Sequence, residues 1–358
     1  MIATGKRLFR TALFVALSWL ACAPPASNAV QPGAVGRLVE VQIHSRALEG
    51  NFAGDPADQK AAVYLPASYD SSPSRRYPTV YFLHGFSASD QVRSKGEGFR
   101  TAMDRLIAAG SVREMIVVVP NGRNSYSGSF YANSSVTGNW EDYVSRDVVA
   151  YVDSHYRTFP RAESRGIAGH SMGGFGALVN AMKHPDVFGS VYSLSACCLA
   201  MQADFGPTQP AWRRGLRLKS RDLSGEGFWV VATMAMAAAF SPDRERKPFF
   251  ADLPYKEEDG RLVPDEPAYS RFQSKLPVNM VPGFLTNLSK LRGIYVDVGA
   301  QDEFSHIPAG ALAFSRELAE RGISHIFEEY QGDHNSRILD RIEGRMLPFF
   351  SRTLQFEP

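Results

Sequence analysis

Residues 166–178 read GIAGHSMGGFGAL, a run in which five glycines surround one histidine and one serine. Two chemistries use such a run. A glycine-rich turn can cradle a phosphate on its backbone N–H groups, or a serine on a tight strand-to-helix turn can be raised as a nucleophile. The phosphate reading requires Gly-Lys-Ser/Thr or G-x-G-x-x-G. No lysine lies in the turn, and glycines at 169, 173, 174 and 176 meet neither pattern. Gly169-His-Ser-Met-Gly173 instead fits G-x-S-x-G, where crowding on both sides of the serine leaves room only for glycine. Ser171 is therefore the candidate nucleophile. It stands at a helix N-terminus, where free N–H groups and the macrodipole favour developing negative charge.

A nucleophilic serine needs a base, an acid and oxyanion donors. Of eight histidines, His334 follows the last predicted strand in Gln331-Gly-Asp-His-Asn335 and precedes the closing helix. His170 adjoins the serine on its own turn and is assigned to packing. His306 competes for the base but follows the preceding strand, where the acid belongs. That loop, Gly299-Ala-Gln-Asp-Glu-Phe304, offers Asp302, with Glu303 as the neighbouring alternative. Asp297 falls inside the strand, and Asp333 is too near His334 in sequence to hold it. Ser171, Asp302, His334 is the chain order of an α/β-hydrolase triad. The oxyanion donors expected with it are the N–H groups of Met172, after the nucleophile, and Phe86, in the turn after Tyr81-Phe-Leu-His-Gly. His84 in that turn either holds the loop or touches substrate.

These residues need a scaffold that brings distant loops together. Apolar runs at Leu38–His44, Ala61–Leu65, Thr79–Leu83, Met115–Val119, Arg165–Gly169, Ser190–Leu194, Gly293–Val298 and His325–Tyr330 predict about eight strands. Helical patterns at Gly98–Ala109, Trp140–Tyr156, Met172–Lys183, Ala309–Arg321 and Ser336–Arg352 alternate with them. Strand then helix, repeated, predicts an α/β fold with a mostly parallel central sheet flanked by helices. Ligands bind such sheets beyond the carboxyl ends of the strands.

Two regions stand outside that alternation. At the amino end Lys6, Arg7 and Arg10 precede an apolar run from Thr11 to Ala23, with Ser27 and Ala29 after it, so residues 1–29 read as a secretory signal. The run is shorter than the roughly 20 residues of a spanning helix. Residues 199–290 separate two successive strands and read as an inserted cap between catalytic-domain portions 30–198 and 291–358. The cap's run FWVVATMAMAAAF, residues 228–240, predicts one buried helix. Trp229, Met234 and Met236 on it line either an acyl pocket or the cap's own core. Just before the cap, Cys197 and Cys198 are adjacent, and a disulfide between them would be strained; two buried thiols are the simpler reading.

Thirty-nine basic and 37 acidic side chains leave a net charge of +2, which argues against nucleic acid or an anionic membrane as partner. Dispersed histidines without paired Cys/His spacing imply no metal, and no cofactor motif occurs.

Several motifs together carry a resemblance: Leu83-His-Gly-Phe86, Pro120-Asn-Gly122, Trp140-Glu-Asp-Tyr143, Gly169-His-Ser-Met-Gly-Gly174, His184-Pro-Asp-Val-Phe-Gly189 and the Gly-x-x-Asp of 299–302. In this order the chain resembles the putative-esterase family of α/β-hydrolases, which includes esterase D, feruloyl esterases and mycolyltransferases. The resemblance covers most of residues 35–199 and 291–352. It departs at the long insertion and at Asn335-Ser336, where relatives often carry an aromatic. It implies the α/β-hydrolase fold and acyl-serine chemistry on esters or thioesters. The expectation is a secreted or periplasmic serine esterase acting on a small-molecule or polymer-linked ester, with Ser171, Asp302 and His334 catalytic and His84, Trp140, Trp229 and Met234 around the substrate. An acyltransferase using the same acyl-enzyme and a non-catalytic module of the same fold are the alternatives.

Overall fold

The predicted strands all form, and they form one sheet. The computed structural model describes Met1, residues 35–86 and residues 91–357, so the predicted signal segment, apart from Met1, lies outside the described residues. The strands are β1 (Arg37–His44), β2 (Asp58–Leu65), β3 (Thr79–Leu83), β4 (Ile116–Pro120), β5 (Arg165–His170), β6 (Ser190–Leu194), β7 (Gly293–Gly299) and β8 (Ile326–Tyr330). Their order across the sheet is β1-β2-β4-β3-β5-β6-β7-β8. β1 pairs antiparallel with β2, and β2 with β4. Every later pairing is parallel.

Burial explains why these runs became strands. Every residue of β3, β4, β5 and β6 is buried, and β3 and β4 accordingly read as nearly continuous apolar runs rather than alternating ones. The edge strands β1 and β8 are mostly exposed or half-buried, and they carry the polar positions. Helices α1 (Gln91–Ala108), α2 (Met172–Lys183), α3 (Pro210–Arg217), α4 (Phe228–Phe240), α5 (His306–Glu320) and α6 (Leu347–Thr353) accompany the sheet. α1 and α6 pack on one face and α2 and α5 on the other, giving two buried cores. Two predicted helices differ from a plain 3.6-residue repeat. Trp140–Asp142 and Val149–His155 are joined by a π-helical stretch, Tyr143–Val148, and the closing helix passes through another, Ile342–Met346. Hydrophobic spacing does not reveal a single widened turn.

Parallel pairing sets where chemistry can gather. Leu83 lies opposite Gly169, His170 opposite Leu194, Leu194 opposite Asp297, and Gly299 opposite Tyr330. The loops that follow β3, β5, β6, β7 and β8 therefore leave one edge of the sheet. Residues 199–290 sit between β6 and β7 and hold α3, α4 and a hairpin, Tyr255–Glu258 with Arg261–Pro264. Asp259 and Gly260 turn that hairpin with φ of 48° and 73°, the backbone that favours an Asp-Gly pair. Trp212, Met234, Phe240 and Phe272 of this segment share one buried cluster with Phe175, Leu178 and Val191. Among the described residues no helix is long and apolar enough to cross a membrane.

Candidate active site

Ser171 joins β5 to α2 with φ 56° and ψ −118°, a backbone that a non-glycine residue rarely adopts. Neighbouring strands hold it there. Its N–H donates to Leu194 O at 3.0 Å, while its carbonyl accepts from Phe175 N–H at 3.1 Å and Cys197 N–H at 3.3 Å. The flanking glycines are required by contact. A Cβ on Gly173 would stand 1.9 Å from Leu83 O, and one on Gly169 would stand 2.3 Å from the Gly173 carbonyl. These neighbours are backbone atoms and cannot turn aside, so the turn accepts no side chain at either position.

The predicted acid and base meet on the adjacent loops. His334 Nδ1 lies 2.7 Å from Asp302 Oδ2, and both side chains are buried. Asp302 Oδ1 accepts the Phe304 N–H at 3.0 Å, so each carboxylate oxygen faces one donor. Glu303 takes a different place, its Oε2 accepting the His334 backbone N–H at 3.1 Å. A carboxylate only accepts, so the proton of a neutral imidazole belongs on Nδ1 and the Nε2 lone pair is left to act as base. Among the described residues Ser171 Oγ makes no hydrogen bond to that ring.

His170, assigned to packing from sequence, does more than pack. Its ring lies 4.7 Å from that of His334, and its Nε2 donates to the His334 carbonyl at 2.9 Å. Burial above all, with His334 beside it, pushes its pKa down to about 3. It stays neutral and pins the loop that carries His334. Its position beside the serine was the available signal, but the partner is 164 residues away.

The side chains of the two residues expected to supply oxyanion donors lie close together. The Phe86 ring and Met172 sulfur both crowd Gly128, where a Cβ would meet them at 2.4 and 2.7 Å. Neither the Phe86 N–H nor the Met172 N–H donates to another backbone group among the described residues. His84 is buried, its Nε2 accepting Gly122 N–H at 2.9 Å and its Nδ1 lying 2.9 Å from Gly85 O. These bonds brace the turn.

A narrow slot of about 40 Å³ opens beside Ser171, and Phe86, Phe130, Phe228, Trp229, Phe304, Met236 and His306 are among the residues that line it. Trp229 lines this slot. Met234 does not: it is fully buried against Gly215, two residues and roughly 200° around the helix from Met236, which faces the slot. Trp140 is also outside the slot, fully buried, with its Nε1–H on Thr137 O at 2.8 Å and its ring against Tyr143. Beside it Glu141 accepts from Lys183 Nζ at 2.6 Å and lies 3.0 Å from His184 Nε2, so the one carboxylate and histidine cluster with metal-like spacing among the described residues, Glu141, Asp142 and His184, already holds an ammonium. Phe130 and Phe304 were not singled out from sequence because lone aromatics in loops carry no spacing signal, and Phe228, the first residue of α4, stood only within an all-apolar run. Cys197 and Cys198 are free thiols.

A serine on a strained strand-to-helix turn, with an acid and a histidine on the loops after β7 and β8 of this sheet, defines an α/β-hydrolase. Residues 56–338 match the model of the Putative esterase family, well over half of the chain, and the chain belongs to that family. It is 34% identical over 148 residues to an esterase of Mycobacterium tuberculosis, a match covering 40% of this chain and 30% of the relative. An endo-1,4-beta-xylanase/feruloyl esterase of Xylanibacter ruminicola is 29% identical over 139 residues, covering 37% of this chain and 18% of the relative. The matches thus span less than a third of the length of either relative. Among solved structures, a ferulic acid esterase superposes with a TM-score of 0.63 at 21% identity, covering 89% of this chain and 98% of that one. An S-formylglutathione hydrolase from Agrobacterium tumefaciens superposes with a TM-score of 0.60 at 17% identity, covering 90% and 97%. These likenesses establish the fold.

Proposed function

We propose that this chain is a secreted serine esterase that cleaves carboxylic esters through an acyl-serine intermediate. The reading rests on one observation above the others: the 2.7 Å contact between His334 and Asp302, beside a serine held at φ 56°. In this reading Ser171 Oγ attacks the acyl carbonyl while His334 Nε2 takes its proton. Asp302 keeps the imidazole in the tautomer that leaves Nε2 free. The N–H groups of Phe86 and Met172 receive the charge that builds on the carbonyl oxygen. Collapse expels the alcohol, which takes the proton from His334, and water then repeats the sequence in reverse order of groups.

The slot's aromatic walls favour an apolar, ring-bearing acyl group, in keeping with structural neighbours named as ferulic acid esterases. Export is supported by the basic start and apolar run of residues 1–29. Residues 199–290 act as a cap in this reading, since α4 supplies Phe228, Trp229, Ala232 and Met236 to the slot. Ser171→Ala is expected to abolish turnover of activated short-chain esters and labelling by a fluorophosphonate. Activity within a few-fold of wild type would overturn the assignment.

A further inference from the structure

The slot holds a second Asp–His pair that acyl-serine chemistry does not use. His306 begins α5, and Asp204 lies in the turn Ala203–Phe205 of the inserted segment. Asp204 Oδ1 accepts both the His306 backbone N–H at 2.7 Å and its ring Nδ1–H at 2.8 Å, and the Asp204 N–H returns to Ser305 Oγ at 3.3 Å. Burial raises the pKa of Asp204, and the bonds from His306 outweigh it, holding the carboxyl below its ordinary value. A carboxylate only accepts, so this clamp fixes the ring with a proton on Nδ1 and, in the neutral imidazole, the lone pair on Nε2.

The ring is then caged by Phe205, Trp229 and Phe304 at 5.5, 5.6 and 6.3 Å between centroids. His306 is 4% exposed, lines the slot, and its Nε2 has no hydrogen-bond partner among the described residues. No other slot side chain offers a nitrogen lone pair, since the rest are phenyl, indole, aliphatic, thioether, thiol or the Ser171 hydroxyl. That nitrogen opens on the slot, so a ligand that fills the slot without offering a donor would strip it of water and leave it unpaired, and a site of this kind discriminates for the group that satisfies it.

We propose that His306, oriented by Asp204, is a specificity-determining residue whose Nε2 accepts a hydrogen bond from a hydroxyl on the acyl group of the substrate. The inference rests on the serine-esterase reading. The acyl group is the partner chosen because it remains attached to Ser171 inside the slot after the alcohol has left. A hydroxyl donates to Nε2, a methoxy group cannot, and an unsubstituted group leaves the lone pair unmet.

The test uses three esters of one alcohol and one arylpropanoic acid, bearing hydroxyl, methoxy or hydrogen at the ring position opposite the chain. The full-length protein is expected to favour the hydroxyl ester over the other two by roughly tenfold in kcat/KM, mostly through KM. His306→Asn puts an amide donor where Nδ1 stands, keeping the bond to Asp204 while deleting Nε2, and is expected to bring the ratio to about one. His306→Gln, whose amide oxygen reaches the Nε2 position, is expected to restore part of the preference. Turnover and fluorophosphonate labelling without a hydroxyl preference in the wild type would overturn the inference alone, as would a preference that survives in His306→Asn. Neither turnover nor labelling of Ser171 would overturn the esterase reading and the inference with it.

Discussion

Two imidazoles lie within ring contact of Phe304, His334 at 5.0 Å and His306 at 6.3 Å, and each has a carboxylate on Nδ1, at 2.7 and 2.8 Å. The pairs look alike locally and are built differently. His334 and Asp302 come from loops after neighbouring strands, whose register sets the loops side by side, and His170 and Glu303 hold the same loop by its backbone. His306 takes its carboxylate from a segment 102 residues earlier, outside the sheet. One pair is fixed by the frame of the fold, the other by what has been inserted into it. In the proposed reading the difference separates chemistry, held by the sheet, from selection, held by residues 199–290.

The carboxylates also spend their oxygens differently, and this gives the sharpest way to break the comparison. Asp302 uses one oxygen for His334 and the other for the Phe304 N–H, so an amide must turn its NH₂ toward one of two donors. Asp204 serves both of its donors with a single oxygen, which an amide can still supply. Asp302→Asn is therefore expected to cut kcat roughly 10³- to 10⁴-fold, as expected when the imidazole is forced into the wrong tautomer. Asp204→Asn is expected to cost about threefold or less. Parallel kcat/KM measurements on one ester check both, and equal losses would erase the distinction between the pairs.

Most of the frame was legible in sequence because burial on both faces leaves continuous apolar runs; Thr79–Leu83 and Ser190–Leu194 form as predicted to the residue. Ser171, Asp302 and His334 were legible because each lies just past a strand, and the strands give the loops their places. What was not legible depends on direction or on distant partners. Helix α4 is buried from Ala232 to Phe240, so its sequence has no polar face to say that Met236, not Met234, looks into the slot. Trp140 sits in a shared motif, yet its neighbours make it a core residue. His306 was weighed as a base, and only the fold supplies Asp204, which gives it another partner.

His170 gives the next largest effect, and it distinguishes a loop pin from a bystander. Its folded pKa of about 3 lies below the ordinary 6.5, because burial disfavours its charged form. Above pH 6.5 the group is neutral in both states and costs nothing. As pH falls from 6.5 toward 3 the unfolded chain takes a proton that the folded chain refuses, so stability is lost across that window. The loss from this one group approaches about 1.4 kcal/mol per pH unit. His170→Gln can keep the bond to the His334 carbonyl and removes the titration. Urea unfolding between pH 7 and pH 4.5 is expected to show a shallower decline for the variant by about one proton, and superimposable curves would assign the acid sensitivity elsewhere.

Phe228 carries the smallest effect and bears most directly on selection. As the first residue of α4 it is half exposed, yet its ring meets Phe86 from the loop after β3 at 5.9 Å and Phe304 from the loop after β7 at 5.4 Å. It thus spans two of the loops beyond the sheet from residues 199–290 and narrows the slot beside Ser171. An exposed ring gives up little burial when removed, so Phe228→Ala is expected to change stability by less than about 1 kcal/mol. Its effect belongs on substrate choice: kcat/KM for bulky acyl esters should rise a few-fold relative to acetyl esters of the same alcohol. A profile that keeps its shape in the variant would place the limiting wall on the sheet loops, and selection would then lie with the frame rather than with the insertion.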